Sequence, residues 1–310
     1  MKEFFILLEQ VRLFAVYLAI GVLLVKTSVM NSVSLEAISR YVMRLALPLL
    51  IFTNTVHGVT MQSLYQTLPV LGCAGLVYLL LFLLSLPLAK VFRLQGNRKN
   101  VYRALGMFGN IGFMGIPILT SLFAENGMIY IGVVTIIDQV LLWTLGVRLT
   151  SGAEKGKVPF NCKKLLNPAV ISIILAVFFV CAGWQLPQFL DIALTSVGSS
   201  ATSLALIYLG GIFACMNLRA FLWLPEFYGL VVVKMLAFPV LMYLLLKRLP
   251  LNSEICTTMT LLAGMPSMSS LVMMAKENGP EGDYAAGGVF LTTIFSLATL
   301  PFLCWLLRMI

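Results

Sequence analysis

The run Gly109-Asn110-Ile111-Gly112-Phe113-Met114-Gly115-Ile116-Pro117 sits inside an apolar stretch from about residue 100 to residue 123. A stretch of that length crosses a bilayer, which takes about 20 residues. Its three glycines and its proline predict an interrupted helix. Pro117 offers no N–H and clashes with the preceding turn, while its fixed φ suits the first position of a new helix. A broken span leaves backbone N–H and C=O groups unpaired at membrane depth, which is tolerated only inside protein or beside a wet cavity. A second run, Ala263-Gly264-Met265-Pro266-Ser267-Met268-Ser269-Ser270, lies in the apolar stretch from about 253 to 275, with Pro266 149 residues after Pro117. Two broken spans at matching places in two halves of a chain predict a secondary transporter with its site where they meet.

Composition agrees. The chain has 310 residues, 60% of them apolar and 11% charged, against about 25% charged in a soluble domain. It reads as an all-α integral membrane protein. The apolar start carries Glu9, Gln10 and Arg12 and lacks a small-residue cleavage site, so it reads as a first span rather than a secretory leader. The formal charge of +9 sits in the connections, which speaks against a nucleic-acid partner. Six scattered cysteines without a C-x-x-C pair suggest neither zinc site nor disulfide framework. No G-x-x-x-x-G-K-S run provides for ATP, and no cofactor is expected. The lack of H-E-x-x-H, or of a Ser–His pair within spans, argues against an enzyme. The lack of a soluble output domain argues against a sensor.

Apolar runs between polar clusters give ten spans, at about 4–27, 36–57, 64–90, 100–123, 127–149, 165–186, 189–216, 220–247, 253–275 and 284–308. The polar stretch 150–164 divides them into repeats of five, residues 1–149 and 165–310. Because five is odd, the two repeats are inverted relative to each other. Of the 21 Lys and Arg residues, fifteen follow odd-numbered spans or flank those connections, and five lie on the other side. Positive charge accumulates on the cytoplasmic side, so the 150–164 connection is expected there and both termini outside. The offset that relates Pro117 to Pro266 carries Pro48 into the small, polar segment Ser196–Ser203, suited to close helix packing.

The fourth span, GNIGFMGIPIL, resembles the fourth span of the auxin efflux carrier family, with Asn110 seven residues before Pro117. The ninth and tenth spans (AGMPSMSSLVMMAKENGPEGDYAAGGVFLTTIFSLATLP) and, more weakly, ALPLLIF in the second resemble the same family. The resemblance implies a crossover fold related to bile-acid symporters and Na+/H+ antiporters, in which broken helices 4 and 9 cross. It implies a scaffold and homodimer interface from helices 1, 2, 6 and 7, with helices 2 and 7 at the interface. Helices 3–5 and 8–10 would form a mobile transport domain working as an elevator. It suggests a mono- or dicarboxylate such as malate or malonate, or an auxin-like aromatic acid.

The residues allow roles to be assigned. A half-helix that starts after a break presents free N–H groups and a positive dipole end to an anion. Pro117 and Pro266 are expected to open such halves and, with Gly112, Gly115 and Gly264, to line the substrate site. Asn110 either donates to a carboxylate or satisfies carbonyls freed by the break. Ser267 and Ser269 either line the site or bond back to helix carbonyls. Ionisable groups at mid-span are functional by default, which singles out Asp138, beside Gln139, and Lys234. Asp138 is either an H+- or Na+-coupling group or one half of a buried ion pair with Lys234. The alternative to an organic-anion carrier is a cation/proton antiporter of the same fold. Such proteins usually need two acidic residues near the crossing, and Asp138 stands alone.

Overall fold

The computed structural model describes residues 2–58, 68–123, 126–151, 168–217 and 219–307. Most of the 150–164 connection lies outside them. The described chain is helical throughout, and apart from one two-residue bridge it contains no strand. Helix α1 spans Lys2–Lys26. Helix α2 runs from Ser32–Tyr41 through a π-helical turn, Val42–Ala46, into Leu47–Gly58. Helix α3 is Leu68–Val91 and α4 is Gly96–Met107. Helix α5 starts with the π turn Ile111–Gly115 and continues as Ile116–Leu122. Helix α6 joins Gly127–Leu141, the π turn Leu142–Gly146 and Val147–Thr150. Then come α7 (Pro168–Ala182), α8 (Gln188–Cys215) and the short α9 (Arg219–Leu222). Helix α10 joins Pro225–Gly229, the π segment Leu230–Ala237 and Phe238–Leu246. Helices α11 (Ser253–Ala263), α12 (Ser270–Asn278) and α13 (Gly282–Leu306) complete the series.

Six of these stretches are long and apolar enough to cross a membrane: Leu8–Lys26, Leu68–Val91, Ile129–Thr150, Gln188–Cys215, Pro225–Leu246 and Gly282–Leu306. Each falls on a predicted span. The other four predicted spans take other forms. The second is the three-part α2, and the sixth is the 15-residue α7. The fourth and ninth are split into α4 plus α5 and α11 plus α12.

Helices in lipid gain nothing from hiding apolar surface from apolar tails, so close backbone approach drives their packing. The α1–α8 contact illustrates this. A Cβ on Gly21 would stand 2.0 Å from the Ile207 carbonyl oxygen, and one on Gly210 would stand 2.0 Å from that of Leu18. Only glycine fits at either crossing. Helix α8 also meets α2, where a Cβ on Gly198 would lie 2.8 Å from the Leu50 nitrogen. Within Ser196–Ser203, Gly198 thus packs on Leu49 and Leu50, directly after Pro48, the residue that the 149-residue offset carries into this stretch. His57 of α2 and Asp191 of α8 tie the same helices together, Nε2 to Oδ1 at 2.7 Å. Helices α2 and α7 pack on α6, α3 packs on α4 and α6, and α13 packs on α4, α10 and α12.

Candidate functional site

The two split helices meet. Helix α4 ends at Met107, Phe108 is extended (φ −94°, ψ 120°), and α5 begins after Asn110. Helix α11 ends at Ala263, and α12 begins only at Ser270. Between them Gly109 and Ser267 form an antiparallel β-bridge. The Asn110 amide donates to the Pro266 carbonyl (2.8 Å), and the Met268 amide donates to the Phe108 carbonyl (3.1 Å). A Cβ at Gly109 would stand 3.0 Å from the Met265 Cβ and 3.3 Å from the Leu262 carbonyl oxygen. The bridge closes at that distance because this position has no side chain.

This placement corrects one expectation. Pro117 does not open the second half of its span. The chain breaks at 108–110, and Pro117 sits half-buried in the first turn of the α-helical part of α5, after a π turn that already continues the helix. Proline lacks the N–H that would continue the helical ladder, and the wide π turn directly before it is the irregularity that accommodates it. Pro266 likewise lies within the interruption, with α12 starting four residues later.

Side chains complete the junction. Asn110 is fully buried, and its Nδ2 donates to the Ser269 hydroxyl at 2.8 Å. Its Oδ1 is buried and reaches no partner among the described residues. The Ser267 hydroxyl donates to the Leu105 carbonyl (2.9 Å), while the Ser267 amide donates to the Thr292 hydroxyl (3.1 Å). The Lys234 ammonium, also buried, donates to the carbonyls of Leu105 (2.7 Å) and Phe108 (3.0 Å). Those carbonyls are the exposed negative end of α4, where a cation is favoured. Around the start of α5, Met114 and Gly115 donate to the Asn110 carbonyl. Among the described residues no bond reaches the amides of Gly112 and Phe113, or those of Ser269 and Ser270 at the start of α12. Four backbone donors therefore remain at the two helix starts.

The remaining candidates divide. Gly115 packs on the Leu262 side chain and Gly264 on Leu303 and Pro239, so both serve close packing; Gly112 has open space, with only Leu47 Cδ1 at 4.0 Å. Asp138 and Gln139 form a separate buried cluster. Asp138 Oδ1 accepts from the Tyr78 hydroxyl, Asp138 Oδ2 accepts from Gln139 Nε2 (2.9 Å), and Gln139 Oε1 accepts from Trp143 Nε1 (3.1 Å). Among the described residues the ion pairs within 4 Å are Arg40–Glu36, Arg44–Glu277, His57–Asp191 and Lys276–Asp283. The alternative of a direct Asp138–Lys234 pair is therefore not realised, because each group has found other partners. A cavity of about 10 Å³ lies between the two clusters, lined by Tyr78 of α3, Met107, Gly109 and Ile111 of the first break, Val134 of α6 and Met259 of α11, among others.

Tyr78 and Thr292 are the residues that sequence reasoning passed over. A tyrosine inside Leu68–Val91 and a threonine pair inside Gly282–Leu306 were polar signals within otherwise apolar spans. Their partners lie 60 and 25 residues away.

Six helices fit to cross a membrane, with two split helix pairs closed on one buried polar junction among them, are the build of a membrane transporter. The sequence matches the membrane transport protein family over residues 6–159 and 157–304, and the chain belongs to that family, which includes the auxin efflux carriers. An uncharacterized transporter of Methanocaldococcus jannaschii is 23% identical over 282 residues, covering 88% of this chain and 89% of its own length. A Rhizobium meliloti protein named, provisionally, a malonate transporter is 23% identical over 283 residues, 87% of this chain and 86% of that protein.

Proposed function

We propose that this transporter carries a small organic anion, a mono- or dicarboxylate, through the junction of its split helices by alternating access. The observation that carries this reading is the set of four unpartnered amides, Gly112 and Phe113 on one helix start and Ser269 and Ser270 on the other, flanking Asn110. Two positive helix ends turned to one place favour negative charge. Asn110 adds a choice of polarity. Its amide can rotate end for end, and the Ser269 hydroxyl can donate as readily as it accepts. One rotamer leaves an acceptor free, the other a donor for a carboxylate. The provisional malonate name of the Rhizobium relative supports the same substrate class.

Asn110, Ser267 and Ser269 are fully buried, and the adjoining cavity of about 10 Å³ has room for one water molecule, far less than a carboxylate. This supports a conformation closed to both sides and a transport cycle that requires movement. In our reading the chain forms ten spans in two inverted repeats, with α4–α5 crossing α11–α12. Helices α3–α6 and α10–α13 slide as an elevator against a scaffold of α1, α2, α7 and α8. The close α1–α8 crossing at Gly21 and Gly210 supports a rigid scaffold. A homodimer forms through α2 and α8, in the bacterial-type inner membrane, with both termini outside and the 150–164 connection cytoplasmic. No resident metal or organic cofactor takes part.

Thermal unfolding of the purified protein against malonate, malate and aromatic carboxylates, with and without Na+ and across pH, tests the reading. A ligand that binds only the folded state raises the melting temperature by mass action. We expect at least one carboxylate to do so. If none does while Na+ or Li+ does, the cation/proton antiporter replaces this reading.

A further inference from the structure

The geometry points to a proton as the coupling ion, held by Asp138 and communicated by Tyr78 across the small cavity to the split helices. This inference rests on the carboxylate reading above and adds the ion that travels with the substrate.

A metal coupling ion would need several oxygen ligands at one point, and such oxygens come from carboxylates, carbonyls and water. Neither polar cluster offers them. At Asp138 both oxygens face hydrogens, one from the Tyr78 hydroxyl and one from Gln139 Nε2, while the Gln139 oxygen is turned to Trp143. At the end of α4, where freed carbonyls would otherwise attract a cation, the Lys234 ammonium already bonds Leu105 and Phe108. Lys234 thus acts as a built-in cation; the buried carboxylates among the described residues are Asp138 and Glu226, and Glu226 is engaged elsewhere, with Tyr284, so Asp138 is the one that faces the cavity through Tyr78.

The surroundings of Asp138 agree. The helices packed on α6 carry His57 (the Leu47–Gly58 part of α2), Cys73, Tyr78 and Lys90 (α3), Arg98, Lys99, Tyr102 and Arg103 (α4), Cys181 (α7), Glu254 and Cys256 (α11), and Lys276 and Glu277 (α12), while α5 carries no titratable group. Of these, among the described residues, only Tyr78 bonds Asp138. Glu254 is engaged elsewhere, with Asn126 and Tyr130, and Lys234 of α10 acts on Asp138 electrostatically without contact.

The chemical step is a proton transfer alone. A hydronium ion gives its proton to Asp138 Oδ1: one O–H bond of the hydronium breaks and leaves water, the carboxyl O–H bond forms, and no oxidation state changes. Tyr78 then turns its own hydroxyl hydrogen out of the shared line and accepts from the new O–H. The space into which that hydrogen turns is the cavity, which also touches Gly109 and Ile111 of the first break and has room for one water. An anion at the junction and a charged Asp138 repel, so the anion favours protonation of Asp138. By reciprocity the proton favours the anion, and the two are carried together.

The test uses malonate as probe. Calorimetric binding in two buffers of different ionisation enthalpy counts the protons taken up with the anion in the unmodified protein. We expect about one, with malonate affinity rising as pH falls by at most about tenfold per unit. Asp138→Asn is expected to abolish that uptake and flatten the pH profile. Tyr78→Phe is expected to weaken the linkage. In proteoliposomes, malonate entering down its gradient should bring protons that a trapped pH dye detects, with choline replacing Na+ at no loss. Malonate bound without protons, proton uptake persisting in Asp138→Asn, or uptake that requires Na+ overturns the inference and leaves the anion reading standing. Failure of any carboxylate to bind overturns the anion reading itself.

Discussion

The two interruptions differ in how they satisfy the backbone they expose. The first is three residues long, 108–110, and the helix end it leaves is held by a charge: Lys234 bonds two of its carbonyls, reinforced by the Ser267 hydroxyl and the Met268 amide. The second spans six residues, 264–269, and is held by neutral groups. The Asn110 amide bonds the Pro266 carbonyl, the Thr292 hydroxyl receives the Ser267 amide, and the chain folds back on itself through Gly264 to Thr260 and Met265 to Leu262. One break is neutralised by an ammonium and the other is threaded by backbone. Two breaks that meet at one junction therefore need not be energetically equivalent. The anchored break fixes geometry, and the neutral one has more bonds that can be exchanged for bonds to a substrate.

Substitutions can break or sharpen this contrast, and the largest effect is expected at Lys234. Its two bonds have a charged donor, a class worth about 1.5–3 kcal/mol each, offset in part by the cost of burying the charge. Lys234→Met is expected to lose about 3 kcal/mol of stability and to abolish transport, as read by unfolding in detergent and by uptake. Unchanged melting would mean that the first break needs no charge and that the two are alike. Gly109→Ala comes next, at about 2 kcal/mol, because the new methyl would crowd Met265 and Leu262. Its control is Gly112→Ala, expected within about 0.5 kcal/mol because that position opens onto space. Equal penalties would contradict the bridge geometry. Asn110→Ala should keep the backbone bond to Pro266 yet weaken carboxylate binding about tenfold, roughly 1.4 kcal/mol, measured by thermal shift titration. Apart from the Gly112→Ala control, the smallest effect is expected for Ser267→Ala, about 1 kcal/mol for one lost bond, since Lys234 still covers the Leu105 carbonyl.

Much of this was readable in the chain itself. Apolar runs marked where helices lie, and glycine with proline marked which two are split. Pattern alone puts the first break at Pro117, because proline is its visible helix breaker, whereas the interruption lies at 108–110, where Gly109 closely approaches Met265, a residue far along the chain. Asp138 and Lys234 stood out as costly buried groups, and an ion pair was the simplest way to reconcile them. What decided otherwise was invisible to pattern reading: a broken helix turns its own carbonyls into ligands, and the lysine found those first. Tyr78 was hidden for a similar reason, since a tyrosine in an apolar span identifies itself only once its partner is known.

The bridge between Gly109 and Ser267 also bears on how the molecule is made. The Asn110 side chain waits for a serine 159 residues further along the chain, and the carbonyls of Leu105 and Phe108 wait for Lys234, 129 and 126 residues on. At about 5–20 residues per second of synthesis, the first half stays in the bilayer for roughly 10–30 s with polar backbone that nothing yet covers. Assembly therefore ends with a late clasp, and a ribosome that stalls before the second half is finished leaves behind a membrane fragment that quality-control proteases can recognise by its open seam.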